Sequence, residues 1–195
     1  MNSIHFDPIK HEYRVQTVRY PSVTEIISDM GFYGDTSYFT EHSRERGSYV
    51  HRIIEFHLAG ELDEATIDPA LMGYFEAWRR FEAEAQYVGD ACEKVMVSET
   101  QRFAGTVDHI GHLNGYPCLI DVKTGAMAPA TALQLAGYEV LVQHPGIKRF
   151  GLQLMDTGKY RLTEFKDRSD RSIFLAALGC FYWKANHNLN LRRAA

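Results

Sequence analysis

The spacing of apolar residues changes period twice along the chain. The first 20 residues alternate weakly and suit short extended pieces. "PSVTEIISDMGF" carries a capping-box pattern, Ser22 with Glu25, and predicts a short helix ending near Gly31. "TEHSRERGSYVHRIIEFHLAG" predicts a longer helix over about 41–59, with Val50, Ile53, Ile54 and Leu58 on its apolar stripe and Gly60 at its C-cap. A third helix begins at Asp68 as N-cap and Pro69 as first residue, with Leu71, Phe75, Trp78 and Phe81 at helical spacing.

The period then shortens. "EKVMVSE", "FAGTVDHIGHL" and "YPCLIDVKT" predict three strands, rich in β-branched and aromatic residues. "PATALQLAGYEVLVQH" returns to helix, with Leu133, Ala136, Gly137, Val140 and Leu141 on one face. "IKRFGLQLMD" and "YRLTEF" predict two more strands, and "RSIFLAALGCFYWKANHN" a last helix. This order predicts an α/β or α+β fold with a mixed sheet. No internal repeat, low-complexity tract or linker interrupts it, so one domain over 1–195 is expected.

Composition narrows the function classes. At 195 residues, 45% hydrophobic and 24% charged, the chain is an ordinary globular one. Its net charge of −4 gives no global basic field, although a local basic groove can coexist with an acidic metal site. Cys92, Cys118 and Cys180 are dispersed and odd in number, which argues against a disulfide framework. Three cysteines also cannot supply four ligands to an iron–sulfur cluster. No run of 18 apolar residues occurs, and the first residues lack the apolar segment of a signal peptide. No membrane association and a cytoplasmic location are therefore expected. Neither H-E-x-x-H nor G-x-x-x-x-G-K-[ST] is present, which argues against a zincin and a P-loop ATPase.

The candidate chemistry lies in "FAGTVDHIGHLNGYPCLIDVKTG", two strand-like runs joined at Asn114–Gly115. Side chains alternate along a strand, so Leu119, Asp121 and Lys123 share a face that begins apolar and ends in charge. Alone, D-x-K reads as a surface ion pair of small energetic consequence. Asp108 changes that reading. A hairpin sets neighbouring strands ~4.8 Å apart, so Asp108 and Asp121 can share one cation. Two carboxylates that close repel unless a cation or proton intervenes. A lysine beside them can orient an attacking water or stabilise charge developing on a phosphate. His109 and His112 would fall on opposite strand faces and do not suit a shared metal.

These residues resemble the PD-(D/E)XK nuclease superfamily in its RecB-like branch. That branch reads G-[TK]-[IV]-D, then [IL]-[IVL]-D-[YFLV]-K-T-G, and this chain has "GTVD" and "LIDVKTG". A histidine following glycine in a G-x-x-x-H context matches Gly47 and His51, and a Q-x-x-x-Y signature matches Gln134 and Tyr138. The opening "FDPIKHEYRVQTVRYPSVTEI" is similar to phage-type members. The matching segments run from about residue 5 to 140.

The resemblance implies a restriction-endonuclease-like α/β core: a central mixed sheet flanked by helices, with extra N-terminal helices. It implies a deoxyribonuclease using Mg²⁺ or Mn²⁺, without an iron–sulfur cluster. Asp108, Asp121, His51 and the backbone carbonyl of Val122 would hold the ion. Lys123 would assist the attacking water, with Gln134 and Tyr138 close by. Glu93 is a further candidate near the metal, and Glu99 competes with it. Glu55 reads as a solvated acid. Thr124 could meet a phosphate or serve the turn, and Gly125 reads as permitting a tight strand exit. Arg44, Arg46, Arg52, Arg79, Arg80 and Lys94 are candidates for phosphate contact. The substrate class is DNA, most simply linear ends processed in phage or bacterial recombination or repair, with a single-strand annealing protein as possible partner and an oligomer possible. The competing readings are a structure-specific endonuclease and a catalytically silent DNA-binding module.

Overall fold

The structure is a computed structural model and describes residues 3–34 and 40–189. The chain opens with β1 (Ile4–Asp7), β2 (Glu12–Val15) and β3 (Val18–Tyr20), which pair antiparallel in that order. The weakly alternating start is thus a three-stranded sheet. Helices α1 (Val23–Asp29), α2 (Glu41–Ala59) and α3 (Pro69–Glu84) follow. Their starts obey local chemistry. Ser22 Oγ accepts the Glu25 N–H, Thr40 caps α2 and Asp68 caps α3. Gly60 closes α2 in the left-handed region, at φ 71°.

The second sheet contains β4 (Tyr87–Ser98), β5 (Phe103–Leu113), β6 (Tyr116–Lys123), β7 (Lys148–Leu154) and β8 (Tyr160–Glu164), in sequence order. All neighbours run antiparallel except β6 and β7, which are parallel and joined through α4 (Thr131–Val142). Helix α5 (Ser169–Asn186) ends the described chain. Asn114 and Gly115 turn the β5–β6 hairpin with φ 47° and 80°, the two left-handed residues that a type I′ turn requires.

The sheet is covered on both faces. Helices α1, α4 and α5 pack Val23, Leu135 and Phe174 against Phe103, Val107 and Leu119. On the other face α2 and α3 pack Ile54, Trp78 and Phe81 against Ile120, Val122 and Leu152. There too the N-terminal sheet sets Tyr13, Val15 and Tyr20 on Ala104. Close approach needs Gly137, where a Cβ would lie 2.8 Å from Val23 and 2.9 Å from Phe174.

The mixed sheet flanked by helices is the expected core. β4 begins earlier than its apolar pattern suggests, at Tyr87 instead of Glu93. The missed part contains Gly89 and Asp90, poor strand formers, and its register shifts between Gly89 and Ala91.

Candidate active site

The site begins where a strand ladder stops. β5 and β6 pair from Leu113–Tyr116 to His109–Ile120. Beyond that point β5 stays with β4, while β6 stays with β7 as far as Lys123–Gln153. The strands fork. Val107 and Ile110 both face the α1–α4–α5 core although three residues apart, so alternation slips between them, beside Asp108. The Asp108 carboxylate fills the gap: its Oδ2 accepts the Val122 N–H at 2.9 Å.

Glu93 enters through a second irregularity. It falls between the pairs Cys92–His109 and Lys94–Val107, opposite Asp108, with φ 47°. A non-glycine residue in that region marks strain held by its surroundings, a frequent property of functional sites.

Helix α2 supplies His51. Its Nδ1 lies 2.8 Å from Glu93 Oε1, and its Nε2 lies 3.2 Å from the Val122 carbonyl and 3.8 Å from Asp108 Oδ2. Carboxylates and carbonyls only accept, so both ring nitrogens carry protons in this arrangement. Burial opposes the imidazolium, but Asp108 and Glu93 outweigh it and lift the pKa to about 9. The Glu93 contact also fixes the ring, directing Nε2 at Asp108 and the Val122 carbonyl.

Asp121 is fully buried. Lys123 Nζ lies 2.7 Å from its Oδ2 as an ion pair. Beyond that ammonium, neither carboxylate oxygen has a donor among the described residues. Burial raises this pKa to about 6, with Lys123 pulling down and Asp108 pushing up. Burial also raises Asp108, against the pull of His51 and Lys123. For Lys123, burial opposes the charge, yet Asp121 and Asp108 outweigh it and its pKa rises. Two buried acids thus face two cationic groups at the mouth of the fork.

Gln134 and Tyr138 sit one turn apart on α4, both buried, with Gln134 Nε2 donating to Tyr138 Oη at 3.0 Å. Burial raises the Tyr138 pKa, and Asp108 and Asp121 add to it, which places the phenol near both acids. Gly105 makes room, since a Cβ there would lie 3.0 Å from the Tyr138 ring.

A cleft of about 500 Å³ opens over Lys123, His51 and Gln134, with Arg44, Arg46 and Thr124 along its wall. Arg46 reaches Thr124 at two atoms, its hydroxyl and its carbonyl, both at 3.4 Å. Arg52, Arg79, Arg80 and Lys94 do not line it. Arg79 pairs with Glu64, and Arg80 with Glu84. Gly125 keeps φ out of the left-handed region, and a Cβ there would meet nothing within 4 Å. The strand exit does not require glycine. Tyr33, also on the cleft wall, had no sequence signal.

Candidate ligand atoms of His51, Glu93 and Asp108 lie within 4.8 Å of one another, and Asp121 lies outside that triplet, against Lys123. The donor set is oxygen-rich with one imidazole, which suits a hard or borderline divalent ion. The buried Asp121 oxygens, with Lys123 as their one partner among the described residues, are what such an ion would satisfy.

No family model and no curated protein matches the chain. A solved structure from Eubacterium rectale, assigned as an exonuclease, superposes with a TM-score of 0.59 at 15% identity, over 90% of this chain and 84% of its own. The alkaline exonuclease LHK-Exo of Laribacter hongkongensis matches at a TM-score of 0.39 and 18% identity, over 87% and 93%. Its complex with dAMP scores 0.40. The Eubacterium rectale likeness is one of fold, a mixed α/β core. No helix among the described residues is long and apolar enough to cross a membrane.

Proposed function

We propose that this chain is a divalent-metal-dependent DNA nuclease, acting as an exonuclease on linear DNA in recombination or repair. The observation that carries the reading is Asp121: a fully buried carboxylate whose one partner among the described residues is the Lys123 ammonium, within electrostatic reach of Asp108 and His51. A buried acid cluster so incompletely satisfied is costly unless it serves a ligand. The exonuclease assignment of the Eubacterium rectale structure, similar in fold, favours the same substrate class.

Asp108, Asp121, the Val122 carbonyl and His51 Nε2 would hold Mg²⁺ or Mn²⁺. Glu93 keeps the His51 ring aimed, as carboxylates behind metal-binding histidines do. A bound divalent ion supplies charge for the phosphate and lowers the pKa of a coordinated water. Lys123, with its side chain 32% exposed, reaches the cleft and orients the attacking water. Gln134 and Tyr138 support Lys123 and the acids from α4. Arg44 and Arg46 offer the cleft's phosphate contacts. The setting would be a bacterial or phage-infected cytoplasm, with a single-strand annealing protein as partner.

The test is purified protein with end-labelled linear and closed circular duplexes, with Mg²⁺, Mn²⁺ or chelator. Metal-dependent shortening of the linear duplex alone is the expected result. Nicking of the circle would shift the assignment to an endonuclease. Degradation that persists in the Asp121→Ala and Lys123→Ala variants would overturn the mechanism.

A further inference from the structure

The N-terminal sheet reaches β5 beside the candidate site through Tyr13. Tyr13, central in β2, is fully buried. Its ring stacks on Phe6 at 4.7 Å and meets His11 edge-on at 5.4 Å. Its hydroxyl lies 2.8 Å from Thr106 Oγ1 on β5 and 3.5 Å from His11 Nε2. Thr106 stands two residues before Asp108 and opposite Val95, two residues after Glu93. The bond therefore grips the β4–β5 ladder beside the irregular pair that brings Glu93 and Asp108 together.

That stretch needs a grip. Beyond the fork β5 has lost β6 as a partner. The vacated edge is taken by the Ser22–Ala104 bridge and by the Ala104 N–H donating to Pro21 at 3.0 Å. In this stretch Tyr13 adds a side-chain hydrogen bond to β5 two residues before Asp108. A phenol suits the task. Burial raises its pKa to about 12, so it stays neutral and does not add a third negative charge beside Glu93 and Asp108.

We infer that Tyr13 is a positioning residue for the metal ligands, acting through Thr106 to hold Glu93 and Asp108 at the spacing His51 requires. The inference rests on the metal-site reading above. Loss of the hydroxyl lets the irregular pair relax, and ligand spacing suffers before the fold does. The N-terminal strands are then a working part of the site.

Calorimetric Mn²⁺ titration of the full chain tests this, with melting points of the metal-free proteins alongside. Tyr13→Phe and Thr106→Val should each weaken Mn²⁺ binding about tenfold, the lower end for groups behind metal ligands. The double variant should bind no more weakly than either single one, because both remove one bond. Thr106→Ser, which keeps the hydroxyl, should bind like the wild type. Val15→Ala, a core truncation in the same small sheet, should lower the melting point and leave Mn²⁺ affinity alone. Wild-type affinity in Tyr13→Phe, multiplying losses in the double variant, or an equal loss in Val15→Ala would each overturn the inference and leave the metal site standing. A wild type that takes up no Mn²⁺ would overturn the metal-site reading and this inference with it.

Discussion

Arg149 and Asp121 are both buried charged groups, on the adjacent strands β7 and β6, and their surroundings differ in kind. All three Arg149 guanidinium nitrogens are occupied: by the Asp167 carbonyl at 2.7 Å, Asp170 at 3.1 Å, the Ala132 carbonyl at 3.4 Å and Glu139 at 3.3 Å. That cluster is closed, and it ties β7 to α4 and α5. Asp121 has one ion pair, with Lys123, and no other donor among the described residues. Its cluster is open and meets a cleft through Lys123. Buried charge that satisfies itself serves the fold. Buried charge left unsatisfied at a strand fork is arranged for something the chain does not supply.

Five substitutions at four positions would break or sharpen that contrast. The largest effect should fall on activity. Asp108→Ala and Asp121→Asn should each lower the rate of DNA hydrolysis at least ~10³-fold, about 4 kcal/mol of lost barrier stabilisation, in a single-turnover assay. Asp121→Asn should keep the fold, since the amide matches the carboxylate in size and the Lys123 side chain, 32% exposed, keeps access to water. Arg149→Met should instead destabilise the protein by about 3–5 kcal/mol in denaturant unfolding, because it leaves the buried Asp170 without its partner. Next, Mn²⁺ at about 100 times its Kd should stabilise the wild type by ~2.7 kcal/mol, a rise of roughly 5–10 °C in melting temperature. Asp121→Asn should lose that rise and Arg149→Lys should keep it. The smallest effect belongs to Arg80→Ala. That residue's pair with Glu84 is exposed, and unfolding should show no resolved change.

The open cluster was far more legible in sequence than the closed one. Asp121, Val122 and Lys123 are contiguous, and strand alternation alone sets Asp121 and Lys123 on one face. Asp108 follows from the hairpin, and His51, Gln134 and Tyr138 from motif spacing on helices. Helix starts were legible because Ser22, Thr40 and Asp68 cap within three residues of themselves. Glu93 was legible as a candidate near the metal, but its contact with His51 was not, because it depends on β4 departing from regular pairing there, which no period reports. What escaped depends on distance. Tyr13 finds Thr106 across 93 residues. Arg149 draws its acceptors from residues 132, 139, 167 and 170, a set no motif contains. Gly125 shows the opposite failure, a local rule applied where the backbone does not use it.

The central claim is that the fork between β5 and β6 is built for a cation. Crystals soaked in Mn²⁺ and recorded near its absorption edge test it directly. The account predicts one strong anomalous peak within ligand distance, about 2.0–2.3 Å, of Asp108, Asp121 and His51 Nε2, absent from Asp121→Asn crystals. No peak at the fork, or a peak that survives unchanged in Asp121→Asn, would contradict it.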